Sequence, residues 1–117
     1  MGPERAEREF EMLRIYEVAL RVLEELRPAV AAIEARDRDL ARQMRRAVCS
    51  VALNTAEGMG SRGRLRNVRY HSALGSMQET LACVEVGVAL GYVEGIDAGV
   101  EDRIRRIIGT LVRLIGR

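Results

Sequence analysis

Seven arginines in two short stretches are the residues of this sequence best equipped for chemistry. Arg42, Arg45 and Arg46 form one group; Arg62, Arg64, Arg66 and Arg69 form the other. A guanidinium is a permanently charged planar fork of donors, and it grips carboxylates and phosphates alike with two parallel hydrogen bonds. The second group falls where a helix should begin. There the helix dipole and the unpaired first-turn amides already favour an anion, so each cation is locally disfavoured by fractions of a kcal/mol. Two kinds of compensation fit. Carboxylates from elsewhere in the chain can pair with the arginines, or the phosphates of RNA or single-stranded DNA can lie along them without any base being read.

Other chemistry has less material. His71 is the only histidine, and Glu79 stands eight positions away, so neither an HExxH spacing nor a neighbouring cysteine offers a zinc site within one chain. It reads as a hydrogen-bonded edge residue beside Tyr70 and Ser72. Acid, base or nucleophilic catalysis needs several convergent polar groups, and no such set emerges. The expectation is a non-enzymatic protein without metal or cofactor. Asn54 and Glu57 stand among Val51, Ala52, Leu53, Thr55 and Ala56, where buried polar groups need partners. Asn54 suits a backbone carbonyl or a polar group on a facing helix; Glu57 suits Arg45, Arg46 or the turn amides. A structural network is the first reading of this pair, an anion or metal site at the following turn the second. Cys49 and Cys83, each alone in an apolar helical context, read as small buried hydrophobes in a reducing cytoplasm.

The elements that must position these residues are helices. In 117 residues there is room for one core, and with one Phe, three Tyr and no Trp that core must be aliphatic. Prolines are confined to Pro3 and Pro28. Spacing of apolar residues predicts one domain over 1–117 with helices at about 9–35, 38–57, 64–90 and 97–115. The first has Leu13, Tyr16, Leu20, Leu23, Val30 and Ile33 on its stripe, widened by Ile15, Val18, Val22 and Leu26, and should kink at Pro28. Asp37 or Asp39 can cap the second. Ser61 can cap the third, whose Leu74, Met77, Leu81, Val84 and Val88 alternate in steps of three and four like a coiled-coil seam. Gly75 inside that helix suggests close approach by another backbone or an incidental substitution, and Gly91 should end it in a left-handed conformation. The fold class is all-α, an antiparallel up-down-up-down four-helix bundle. Apolar flanks on several helices exceed what one bundle hides, so a homo-oligomer is expected.

Charge is distributed in blocks. The chain has 19 arginines, 17 acids and no lysine. Residues 1–39 are net −3, 40–72 net +6, 73–102 net −6 and 103–117 net +5. Such blocks either neutralise one another across helices and subunits or leave a basic face open to an anionic partner. Met1–Glu11 lacks the apolar core of a signal peptide, and the most apolar run, Thr80–Val93, is interrupted by Glu85 and too short to span a membrane. The expected location is the cytoplasm.

The run from Gln43 to Gly58, Q-M-R-R-A-V-C-S-V-A-L-N-T-A-E-G, resembles the signature of the bacterial four-helix bundle proteins first described as encoded in intervening sequences of 23S ribosomal RNA. Gly75-Ser76-Met77-Gln78-Glu79 and Leu90-Gly91-Tyr92-Val93 continue the likeness at matching spacing. That family is similar to the accessory variability determinant of diversity-generating retroelements, a pentameric bundle with a basic surface that assists a reverse transcriptase and contacts nucleic acid. The resemblance implies a pentamer, RNA or single-stranded DNA as ligand, and a reverse transcriptase or other nucleic-acid enzyme as partner. It implies that Arg45, Arg46 and Arg62 through Arg69 belong to the basic surface, and that Asn54, Glu57, Gly58, Gly75 and Gly91 belong to a structural signature of helix packing. The alternative is a structural or protein-interaction bundle whose arginines pair with Glu79, Glu85, Glu94, Asp97, Glu101 and Asp102.

Overall fold

The computed structural model describes residues 2–115, and among them every regular element is an α-helix. There are five: α1 (Pro3–Glu25), α2 (Arg27–Glu34), α3 (Arg38–Met59), α4 (Gly63–Ala89) and α5 (Ala98–Ile115). The first helix expected over 9–35 is thus two. It begins earlier, because Pro3 presets the first helical φ after an extended Gly2 and Arg5 pairs with Glu9 one turn on. It divides at Leu26, where ψ relaxes to −6° ahead of Pro28. Leu26 is fully buried, and hydrogen bonds from Leu26 N–H to Val22 and from Val30 N–H to the Leu26 carbonyl carry the backbone across the break. Proline's missing donor therefore produces a bend, not an end.

Capping residues fix the other boundaries. Asp37, not Asp39, caps α3: its Oδ1 accepts from the Leu40 amide at 2.9 Å. α4 ends at a glycine in the left-handed region, Gly91 with φ +76°, and there Tyr92 N–H reaches the Gly87 carbonyl at 2.8 Å while Gly91 N–H reaches that of Val88 at 3.0 Å. This pair of bonds is the Schellman closure.

α1 packs on α3 and α5, α2 on α3, and α4 lies between α3 and α5. One hydrophobic cluster draws on all five helices, with Met12, Leu26, Ile33, Met44, Met77, Ile104, Ile107 and Leu111 fully enclosed. The helix faces are rotated from those expected. On α1 the buried line is Met12, Ile15, Ala19, Val22 and Leu26, whereas Leu13 and Leu20 stay exposed. On α4 the buried line is Tyr70, Ala73, Met77, Thr80, Val84 and Gly87; Leu74 and Leu81 are half-buried and Val88 is exposed. Small side chains at Ala73, Thr80 and Gly87 let the neighbours approach, and a Cβ at Gly87 would lie 3.1 Å from Ile33 Cδ1.

α4 has a second line in the same three-four rhythm: Leu65, Val68, Ser72, Gly75, Glu79, Ala82, Val86 and Ala89, all exposed. On α3, Leu53 is 63% exposed and shares a stripe with Cys49 and Ala56. Val112 of α5 is open as well.

Cross-helix ion pairs show which helix ends lie together. Arg113 meets Glu11 and Arg69 meets Glu57 toward one end; Arg103 meets Glu25 toward the other. Arg62, Arg64, Arg66 and Arg69 thus stand at the α3–α4 turn end, while Glu94, Asp97, Glu101 and Asp102 lie at the opposite end, beside the arginines in the first turns of α3 and α5.

Candidate nucleic-acid interface

The α3–α4 turn is built by glycine and serine. Gly60 follows the last residue of α3, the Ser61 hydroxyl donates to the Glu57 carbonyl at 2.8 Å, and Gly63 takes φ +58° as α4 starts. Ser61 is therefore spent on closing α3; it does not cap α4. Arg62 occupies the N-cap of α4, extended and without a capping side-chain bond. Arg62 and Arg64 are exposed and Arg66 is half-buried. Arg69 Nε lies 3.0 Å from Glu57 Oε2 in an ion pair, so the partner of Glu57 is Arg69, where Arg45, Arg46 or turn amides are expected from the sequence.

The other arginine group lies further along the bundle. Arg45 pairs with Glu34 of α2 at 2.8 Å, and neighbouring Gln43 donates to Glu79 of α4 at 3.2 Å. Arg42 and Arg46 are exposed on the Leu53 stripe of α3. About 20 Å of helix separates Arg46 from the end of α3, at about 1.5 Å per residue. The seven arginines thus form two groups, and of them Arg42, Arg46, Arg62, Arg64 and Arg66 meet no carboxylate in ion-pair range among the described residues.

Two further arginines join the turn group. A cleft of about 380 Å³ opens between the first turns of α1 and the α3–α4 turn, with Arg5 and Arg8 on one side, Arg62, Arg66 and Tyr70 on the other, and Leu13 and Met59 supplying apolar surface. Arg8 Nε is shielded from solvent and has no acceptor; no other buried side-chain nitrogen or oxygen among the described residues is in that condition. Burial pushes the Tyr70 phenol pKa up, against the downward pull of the Arg66 and Arg8 guanidiniums. Arg5 and Arg8 were missed because Met1–Glu11 reads as an alternation of acids and arginines ahead of the first apolar stripe. Pro3 at a first helical position was the signal that α1 carries them.

Asn54 bonds within α3: its Nδ2 donates to the Ser50 carbonyl at 3.0 Å and to Ser50 Oγ at 2.9 Å. The tie to α4 is made by Ser76 Oγ, which donates to the same Ser50 Oγ at 2.8 Å. Thr55 and Thr80, both fully buried, bond back to the carbonyls of Val51 and Ser76. Gly58 lies inside α3, which runs two residues past the end expected at 57, and Gly75 faces open space, with nothing within 4 Å of a Cβ built there. His71 is exposed. Cys49 is also exposed, contrary to expectation, because the second apolar flank of α3 has no neighbour in the chain; Cys83 is buried. Chemically, both arginine groups can hold anions. No group of three or more metal-ligating side chains occurs among the described residues, and no helix there is long and apolar enough to cross a membrane.

An all-α helical bundle with an arginine cluster at its α3–α4 turn is the class the fold defines. The sequence profile of the 23S rRNA-intervening sequence protein family matches residues 11–113, and the chain belongs to that family, whose members are non-enzymatic. No curated protein and no solved structure matches it.

Proposed function

We propose that this protein is a homo-oligomeric accessory protein, a pentamer by family resemblance, that holds RNA or single-stranded DNA by its phosphates, or docks a nucleic-acid enzyme such as a reverse transcriptase. Arg62, Arg64 and Arg66 are the primary contacts in this reading; Arg42 and Arg46 extend the track, and Arg45 and Arg69 support it from their ion pairs. The whole chain acts as a single four-helix domain in up-down-up-down order, α1 and α2 being one arm bent at Leu26. The observation that carries the reading is the open, uncompensated arginine cluster at the α3–α4 turn, set where the α4 dipole adds to the positive potential. The exposed α4 line and Leu53 supply apolar surface for self-association. Fluorescence anisotropy with labelled RNA and single-stranded DNA at about 50 mM salt tests it. Micromolar or tighter binding that weakens steeply with salt is expected; absence of binding at that level would sink the nucleic-acid reading.

A second reading, a protein-interaction bundle without nucleic acid, draws on the pairing of Arg45 with Glu34 and Arg69 with Glu57. Of the acids assigned to that reading, Glu101 does meet an arginine, Arg105, whereas Glu79 meets Gln43 and Asp97 accepts from the Gly99 amide.

A further inference from the structure

We propose that the cleft between the start of α1 and the α3–α4 turn is a seat for a nucleotide phosphomonoester, the phosphate at a strand end gripped by Arg8, Arg62 and Arg66 while its sugar and base rest on Leu13 and Met59. The strand-end source of that ligand rests on the nucleic-acid reading above; the phosphomonoester chemistry does not.

Charge, donor geometry and size converge on this ligand. Four arginines line the cleft against one carboxylate, Glu9, and that carboxylate already accepts from Arg5 Nε at 3.3 Å. Arg8 Nε is the orphan: a charged donor withdrawn from water without an acceptor is costly, and an oxyanion taking its fork after a small side-chain adjustment removes that cost. A phosphomonoester carries about −1.5 to −2 charge at pH 7 with three strong acceptor oxygens, whereas an internal phosphodiester carries a single charge and continues into nucleotides on both sides. A concavity of about 380 Å³ is near the small end of ligand pockets, large enough for one nucleotide. Leu13 and Met59 give the ring system an apolar surface beside the cations, which inorganic phosphate would leave unused.

The test is anisotropy with one single-stranded sequence in three forms, 5′-phosphorylated, 3′-phosphorylated and without a terminal phosphate, with AMP and inorganic phosphate as competitors. The native protein is compared with Arg8→Ala, Arg8→Lys and the double variant Arg42→Ala/Arg46→Ala, each checked for unchanged helicity and melting. A terminal phosphate at one end should tighten binding at least tenfold. Arg8→Ala should abolish that increment, as should Arg8→Lys, which keeps the charge and loses the fork, while the double variant retains it. AMP should compete more strongly than inorganic phosphate. Equal binding of all three strands, with the Arg8 variants unaffected, overturns the cleft assignment and leaves the arginine track standing. AMP binding lost in Arg8→Ala, with no strand bound in any form, supports the cleft and overturns the nucleic-acid reading. Failure of strands and AMP alike overturns both.

Discussion

The ring of Tyr70 rests against bare backbone at Gly58: a Cβ added there would lie 2.5 Å from Tyr70 Cε1 and 2.8 Å from Cδ1. This close approach joins the last turns of α3 to the first turns of α4 and so fixes the platform on which Arg62, Arg66 and Arg69 stand. Gly58→Ala should lower stability by about 1–3 kcal/mol in urea unfolding, because the buried ring must shift. The loss should shrink when Tyr70 is first replaced by Leu, since the two sites are coupled.

The two thiols should separate cleanly. Ellman's reagent should modify Cys49 rapidly and Cys83 only after unfolding, because Cys83 is buried and its thiol pKa is raised, first by burial and then by nearby Glu79. Cys49→Ser should remove the fast phase alone.

Alkaline pH should destabilise the fold. Tyr70 and Cys83 both have folded pKa values above their ordinary ones, so the folded state binds more protons than the unfolded state as pH rises past about 9 for the thiol and about 10 for the phenol. Their contribution is fully present below those values and is lost as pH climbs through the raised ones. Urea midpoints measured from pH 8 upward should fall, and Tyr70→Phe with Cys83→Ala should flatten the slope relative to its own value at pH 8.

Self-association should depend on surface the single chain leaves open. Leu53→Glu and Val86→Glu should reduce the mass seen by light scattering while helicity is retained, Leu53 being 63% and Val86 45% exposed. Gly75→Arg should do the same, since within one chain nothing opposes a side chain there.

Nucleic-acid binding should lose salt dependence in proportion to the arginines removed. For a single strand, Arg62→Ala/Arg64→Ala should reduce the slope of log K against log salt by about 0.7 per arginine. A slope unchanged from native would mean that those guanidiniums touch no phosphate.

That the chain is all-helical, and roughly where most of its helices run, was legible because aliphatic periodicity is a local signal, although the arm expected as one helix is two. Which face turned inward was not. α4 has two lines in the same rhythm, and the inner one won through Ala73, Thr80 and Gly87, whose smallness matters only once α3 and α2 lie alongside. The exposure of Cys49 escaped notice for the same reason: two apolar flanks on α3 look equally buried until the number of neighbours is known. The turn arginines were visible as a run, but Arg5 and Arg8 reach them only through the return of the chain, which no local spacing encodes. The bend at Leu26 was written in Pro28, and the start of α1 in Pro3.

Arg62, Arg64 and Arg66 crowd one end of a molecule 50 Å long. Copies packed side by side in parallel bring these like charges together, so a closed ring has to be held by its greasy flanks against that repulsion, and added salt, by screening it, should favour the ring while loosening any polyanion from its crown.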